Sequence, residues 1–147
     1  MNDDGLLRAR LTAAGAVEDG DASIYDQAFL MFALAQVSSI APDAEREEQA
    51  RRIRDHLLTH AAHGEGFRET GPHPYQSNAH MHLLEAALAW EEAGGDAGWS
   101  TLADRIVTLA SSRFFDRDAG LLREFFLTDW SPCLLYTSPS PRDKRQS

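Results

Sequence analysis

Three polar residues with regular spacing, Asn78, His82 and Glu85, are the best candidates for chemistry in this sequence. They stand at positions i, i+4 and i+7, so on a helix they share one stripe. An imidazole, with an ordinary pKa of about 6.5, can both accept and donate a proton near neutral pH. The spacing therefore indicates a candidate proton-transfer site, although the same pattern is also typical of a core histidine bonded to a neighbouring carbonyl.

This stripe lies in residues 78–90, NAHMHLLEAALAW, where Glu85 is the only formal charge. Apolar residues occupy most of the circumference, so we expect a helix that is buried on nearly all sides. Asn78 or Ser77 is expected to cap its start, because a short polar side chain can accept a free backbone N–H there. His80 lies about 200° around the helix from His82, and we expect it to be a packing or hydrogen-bonding residue.

Three further helices are predicted along the chain. Ser23 is a suitable cap for an apolar helix over residues 24–39, and Asp43 marks the start of the next helix. That helix, over residues 43–62, combines a charged, solvated face with an apolar stripe. Residues 99–115 form a second amphipathic helix of the same kind.

Two histidines, His56 and His60, lie four residues apart near the end of the second predicted helix. This spacing can hold a metal ion, because both rings lie on one helix face. Imidazoles are also favoured near a helix C-terminus, where positive character is stabilised. We prefer the second interpretation and expect neither a metal nor a cofactor.

Short extended segments begin at Gly5, Gly66 and Gly120, which are 61 and 54 residues apart. Between them an apolar helix is followed by an amphipathic one, twice. Helical hairpins with a regular period are the mark of stacked α-helical repeats. Units of this length with apolar inner helices favour an all-α fold of the α/α-toroid type over residues 1–130, with short extended linkers between the hairpins.

Composition limits the partners of this chain. The formal charge of −9 over 147 residues disfavours binding to nucleic acids and to anionic membranes. The single cysteine, Cys133, cannot form an internal disulfide, so we expect a reducing, cytoplasmic setting. Residues 131–147 are rich in proline and serine, and we expect a disordered tail. The tail also resembles translated sequencing adapter, so we expect it to be non-native.

Three motifs, in order, carry a resemblance to a known family. They are YDQAFLMFALA at 25–35, NAHMHLLEA at 78–86 and GLLREFFLTDW at 120–130. Together they resemble the N-acylglucosamine 2-epimerase family, and within it the mannose and mannose-6-phosphate isomerase-like branch. The resemblance implies an (α/α)6 toroid, of which this chain is an internal fragment with about two helical hairpins. Gln27 departs from that branch, which often has histidine at this position.

The resemblance also implies a chemistry. Family members isomerise or epimerise sugars at C1 and C2 without a metal, through an ene-diol and proton transfer by histidine. It implies that His82 is catalytic, while Asn78 and Tyr25 bind the sugar substrate. Glu85 then braces the helix or orients a neighbour, whereas Phe29 is expected to be a core aromatic. A later histidine–glutamate pair of the family is absent, so we expect no turnover by the 147-residue chain alone.

Two other functions stay open. A glycoside hydrolase on another α/α toroid needs two carboxyl groups about 5 to 10 Å apart, whereas Glu85 is the only carboxylate on its stripe. A non-catalytic helical-repeat binding module needs an exposed concave face rich in aromatic or charged residues. The inner helices are instead expected to be covered.

Overall fold

Four α-helices form two consecutive helical hairpins in the computed structural model, which describes residues 5–133. The first helix packs along the third, and the second and fourth pack on the outside of these two. The prediction of an all-α fold with inner and outer helices is therefore confirmed. Within the described residues, no helix is both long and apolar enough to cross a membrane. The helices are α1 (Ile24–Ile40), α2 (Ala44–His56), α3 (Ser77–Glu92) and α4 (Ala97–Leu109).

Polar side chains cap α1 and α2; the cap by Ser23 was predicted, whereas Asp43, predicted as the first residue of its helix, is the residue that caps it. Ser23 Oγ accepts the N–H of Asp26 at 3.0 Å, and Asp43 Oδ1 accepts the N–H of Glu45 at 2.9 Å. Both outer helices then end in a wider, π-helical turn that the sequence did not predict. These turns are Leu57–Ala61 and Ala110–Phe114.

The predicted cap of α3 was wrong. Ser77 and Asn78 lie inside the helix, and the residue before it, Gln76, makes no capping bond through its side chain. The Ser77 N–H instead donates to the backbone oxygen of Glu124 at 2.9 Å. The free N–H at the start of α3 is therefore paired with a residue 47 positions away. The sequence around Ser77 cannot reveal such a distant partner.

Short antiparallel ladders connect the helices. Cys133, which the sequence analysis placed in the tail, is paired with one of these segments, because its N–H donates to Phe125 O at 2.9 Å. Residues 134–147 of the tail lie outside the described part. The strand pairs are β1 (Arg10–Leu11) with β2 (Val17–Asp19), β3 (Ala62–His63) with β4 (Gly66–Phe67), β5 (Tyr75–Gln76) with β8 (Phe125–Phe126), and β6 (Phe115–Asp116) with β7 (Leu121–Leu122).

The internal repeat is confirmed by the structure. α1 begins at residue 24 and α3 at residue 77, and each is followed by an outer helix, a π-helical turn and a β-hairpin. Equivalent hydrogen bonds close the two hairpins: Arg68 N–H donates to Ala61 O at 2.8 Å, and Arg123 N–H to Phe114 O at 2.9 Å. We call residues 24–67 and 77–122 the first and second repeats.

In the first repeat, the fourth residue of the inner helix holds the linker that precedes it. Gln27 is fully buried. Its Oε1 accepts the Leu7 N–H at 2.9 Å, while its Nε2 donates to Leu7 O at 3.1 Å and to Ser23 O at 3.2 Å. Gln27 is therefore a structural clamp.

The second repeat contains the same clamp with a different side chain. His80, also fully buried, accepts the Phe67 N–H on Nε2 at 2.9 Å. Its Nδ1–H donates to Gln76 O, one turn earlier, at 2.7 Å. The prediction that His80 is a packing and hydrogen-bonding residue is confirmed.

The core lies between the inner and outer helices. Trp90 Nε1 donates to Met31 O at 2.9 Å and so ties α3 to α1, and its ring stacks on Trp99 of α4. The expectation that the inner helices are buried on nearly all sides was wrong, because Met81 and Leu88 of α3 are about half exposed. Among the described residues, α1 is the one inner helix beside α3 and covers a single side of it.

The clamp makes stability depend on pH. Burial lowers the pKa of His80 to about 4, whereas the pKa of a histidine in the unfolded chain is about 6.5. Between these two pH values the unfolded chain binds more protons than the folded one. The stabilisation that comes from the neutral His80 is therefore complete above about pH 6.5 and is lost as the pH falls. We expect the free energy of unfolding to fall by about 3 kcal/mol as the pH drops to about 4.

His80→Gln, which imitates Gln27, should abolish this dependence and change stability at pH 7.5 by less than about 1 kcal/mol. His80→Leu leaves the Phe67 N–H without its acceptor and should cost about 2 kcal/mol. Urea unfolding between pH 4.5 and 8 measures both. An equally steep pH dependence in wild type and His80→Gln would contradict the assignment.

Candidate active site

His82 lies in the second turn of α3, against the first turns of α1. The edge of its ring meets Tyr25, with ring centres 5.1 Å apart, and it lies beside Phe29 at 4.6 Å. Tyr25 and Phe29 are themselves 4.9 Å apart and remain partly open to solvent. We call Tyr25, Phe29 and His82 the aromatic corner; it lies where the two inner helices meet.

Glu85 holds one nitrogen of the His82 ring. Its Oε2 lies 2.7 Å from Nδ1. Because an ionised carboxylate only accepts hydrogen bonds, Nδ1 carries the hydrogen, and Nε2 of the neutral ring keeps its lone pair. The His82 side chain is 18% exposed and that of Glu85 52%. The ring is therefore sheltered but reachable, and Nε2 can accept a proton.

Asn78 lies one helical turn before His82, about 6 Å along the axis. It is half-buried and lines a cleft of ≈490 Å³ together with Met81, Leu84 and Glu124. The structure thus brings Tyr25 and Glu85 each into contact with His82. Asn78 instead lines the neighbouring cleft between α3, α4 and Leu122, so the sequence-predicted residues are not all gathered at one place.

Phe29 was predicted to be a core aromatic, but it belongs to the aromatic corner. Its ring is 43% exposed and lies against His82. The repeat contained the signal for it, since Phe29 stands at the same position of α1 as His82 in α3. The alignment of the two repeats would therefore have found it.

Glu69 is a second residue that the sequence reading did not single out. This buried carboxylate, in the linker after the first hairpin, accepts the N–H groups of Ile24 at 3.0 Å and Tyr25 at 3.1 Å. A negative group is favoured at the positive end of the α1 dipole. Glu69 therefore fixes the turn that carries Tyr25. The contact spans 44 residues of sequence, so no local pattern predicts it.

The remaining histidine pair stands apart from the corner. The rings of His56 and His60 lie 4.4 Å apart near the end of α2. Within residues 5–133, no three His, Cys, Asp or Glu side chains come together as metal ligands. The candidate chemistry of the described chain is therefore concentrated around His82.

Two inner helices covered by two outer ones, with extended linkers between the hairpins, define a section of an α/α toroid. Solved toroids with this arrangement include the cellobiose 2-epimerase of Bacillus thermoamylovorans B4167, with a TM-score of 0.74 and 20% identity over 81% of this chain and 36% of that one. The cellobiose 2-epimerase of Spirochaeta thermophila DSM 6192 gives 0.75 and 20%, over 84% and 35%. A D-mannose isomerase gives 0.71 and 19%, over 82% and 34%.

The sequence then identifies the family. Residues 2–141 match the N-acylglucosamine 2-epimerase (GlcNAc 2-epimerase) family, and the chain belongs to it. The mannose-6-phosphate isomerase of Rhizobium meliloti (strain 1021) is 40% identical over 135 residues, which are 87% of this chain and 35% of that protein. The chain spans about a third of the length of these relatives. The suspected resemblance is confirmed at the level of the family.

The contact between Glu85 and His82 can be tested through the tautomer of the ring. In nitrogen NMR spectra at pH 8.5, we expect a protonated Nδ1 and an unprotonated Nε2 for His82. Glu85→Leu removes the acceptor and should redistribute the ring toward the Nε2–H form. Glu85→Gln is the matched control, because its Oε1 still accepts from Nδ1.

His80 serves as an internal reference in the same spectra. Its Nδ1–H form is fixed by Phe67 and Gln76, so its signals should not move in either variant. Identical His82 ring nitrogens in wild type and Glu85→Leu would show that Glu85 does not set the tautomer.

Glu69→Ala tests the anchoring of Tyr25. The variant leaves the Ile24 and Tyr25 N–H groups without their acceptor and should lower the free energy of unfolding by about 1–2 kcal/mol. The amide of Tyr25 should exchange about tenfold faster or more, while that of Phe67 stays protected. Glu69→Gln keeps one acceptor oxygen, so its stability and its Tyr25 exchange rate should lie between those of wild type and Glu69→Ala. An unchanged Tyr25 amide in Glu69→Ala would refute the anchoring.

Proposed function

We propose that the aromatic corner, with Asn78 and Glu85, forms one side of a site for mannose-type sugars, where His82 moves a proton at C2. The observation that carries this proposal is the bond from His82 Nδ1–H to Glu85, which leaves Nε2 as the free base beside two exposed aromatic rings. Membership in a family of sugar epimerases and isomerases supports the class of reaction.

The proposed reaction starts from the open-chain aldose, whose aldehyde makes the C2 hydrogen acidic. His82 Nε2 accepts that proton, the electron pair of the C2–H bond becomes the C1–C2 double bond, and the carbonyl electron pair moves onto O1, which takes a proton from solvent to give the ene-diol. Glu85 stabilises the imidazolium that forms, because a carboxylate on Nδ1 favours the charged ring. Return of a proton to C1, with loss of the O2 proton and formation of the C2 carbonyl, gives the ketose. Return to the opposite face of C2, with loss of the O1 proton and formation of the C1 carbonyl, gives the epimer. The proposed reaction uses no metal ion.

Substrate binding is assigned to the neighbours of His82. The exposed faces of Tyr25 and Phe29 suit the C–H groups of a sugar, while the Tyr25 hydroxyl suits its polar edge. The Asn78 amide offers both a donor and an acceptor, as a sugar hydroxyl requires. Glu69 supports this arrangement indirectly, since it holds the backbone of Tyr25.

The rival functions receive less support. A glycosidase mechanism needs two carboxyl groups across the scissile bond, whereas Glu85 is engaged by His82 in this site. A purely structural binding module gives no reason for a histidine whose tautomer is fixed by a carboxylate. The family assignment also favours sugar isomerisation or epimerisation over both.

Proton abstraction can be tested separately from turnover. In D2O, the 147-residue chain should introduce deuterium at C2 of D-mannose faster than buffer alone, without forming fructose. This half-reaction needs only a base at Nε2. His82→Ala should reduce the exchange to the buffer rate, whereas His60→Ala, in the turn that follows α2 and outside the aromatic corner, should leave it unchanged. Equal exchange in wild type and His82→Ala would refute the assignment.

Sugar binding is measured by NMR titration of the same proteins. D-Mannose should shift signals of Tyr25, Phe29 and His82, and Asn78→Ala should weaken binding by about three- to tenfold, the loss of one hydrogen bond. Shifts centred on His56 and His60 instead would place the sugar elsewhere.

A further inference from the structure

One bulky residue near the end of the described chain has an unusual backbone conformation. Among the residues that the structure describes, Trp130 is the only one besides glycine with a left-handed φ, at 66°. This conformation is unfavourable for a large side chain. Bonds within the turn enforce it: the Trp130 N–H donates to Leu127 O at 3.0 Å, and the Leu127 N–H donates to Ser131 O at 2.9 Å. Strained residues persist where the surrounding structure fixes them, and they cluster at functional sites.

The Trp130 indole fills a space between Tyr75, Gly66 and His80. Its ring stacks on that of Tyr75, with ring centres 4.0 Å apart and an angle of 10° between the planes. It also covers Gly66, because a Cβ atom on that glycine would lie 2.6 Å from Trp130 Cη2 and 3.2 Å from His80 Nε2. The indole and the His80 ring therefore meet at Gly66, where a side chain has no room.

These contacts hold the start of α3 at two places. Tyr75 lies in β5, directly before the helix, and its hydroxyl bonds to Nδ1 of His63 in β3 at 2.6 Å. His80, in the first turn of the helix, accepts the N–H of Phe67 in β4 at 2.9 Å. Trp130 thus packs against both places where the start of α3 is tied to the β3–β4 ladder.

The orientation of this first turn decides where His82 points. His80 and His82 lie about 200° apart around the helix, so the clamp on one side sets the direction of the other ring. A rotation of α3 by one residue position, about 100°, would carry His82 away from Tyr25 and Phe29. Their ring centres now lie 5.1 and 4.6 Å from that of His82.

We propose that Trp130 is a positioning residue for the proton transfer by His82. By packing on Tyr75 and Gly66, its indole locks the first turn of α3. The locked turn directs His82 Nε2 at C2 of the sugar. This role rests on the proposed function, and the indole acts through the helix and its linker, where its contacts lie. The left-handed backbone is what brings so large a ring to that place.

Two variants disturb this packing from opposite sides. Trp130→Ala removes the indole, and Gly66→Ala inserts a methyl group that displaces it. In each variant we expect deuterium incorporation at C2 of D-mannose in D2O to slow at least about tenfold, because proton transfer depends on exact placement of the base. The affinity for D-mannose, taken from NMR titration, should change by less than about threefold, since the binding side chains remain.

A rescue and a matched control accompany these variants. Trp130→Phe keeps an aromatic face on Tyr75 and should return the rate of C2 exchange to within about threefold of wild type. Leu127→Ala changes a side chain of the same turn that is 46% exposed, and it should leave the rate unchanged.

NMR contacts between the His82 and Tyr25 rings report positioning without any reaction. They should weaken in Trp130→Ala and Gly66→Ala while the amides of α1 stay protected. A wild-type rate of C2 exchange in either folded variant would overturn the proposal. Unfolding of both variants would also overturn it, since Trp130 would then support the whole fold. An inactive wild type would refute the proposed function instead, and the ring contacts would still decide whether Trp130 positions His82.

Discussion

A backbone N–H accepted by a neutral side chain of the next inner helix is the contact on which this fold depends. Phe67 makes it with His80 and Leu7 makes it with Gln27. Each of these N–H groups is turned into the protein, where an unsatisfied donor costs about 1–3 kcal/mol. A charged acceptor would add its own desolvation cost. Glutamine and neutral histidine avoid that cost, and each also donates back to the carbonyl one turn earlier.

The clamp explains how two histidines only two residues apart come to differ in chemistry. The helical period places His80 and His82 about 200° apart, so one faces the core and the other the open corner. Both rings carry their hydrogen on Nδ1, one through Gln76 O and the other through Glu85. Burial keeps His80 neutral and commits its Nε2 to Phe67. Nε2 of His82 lies at the partly exposed corner, so only this histidine suits the proposed proton transfer.

The features that depend on residues close together in the sequence were predicted correctly. The Ser23 cap, the four helices, the repeat and the packing role of His80 follow from side-chain chemistry and periodicity. The start of α3 was wrong because its partner, Glu124, lies far along the chain. The burial of α3 was overestimated, since apolar composition does not reveal which neighbours are present. Glu69 was missed for the same reason as Glu124: its contact with α1 depends on the fold and not on spacing.

The residues of the proposed site occupy equivalent positions in the two repeats but differ in side-chain chemistry. The second, sixth and ninth positions of the two inner helices differ in chemical type between the repeats. In the first repeat they are aromatic and in the second they are polar; the pairs are Tyr25 with Asn78, Phe29 with His82, and Phe32 with Glu85. Tyr25, Phe29 and His82 meet at the corner, where the aromatic faces suit the carbon side of the proposed sugar and His82 the proton transfer. Because the second and sixth positions hold neither the clamp nor a residue of the hydrophobic core, they can differ between the repeats while the core is kept.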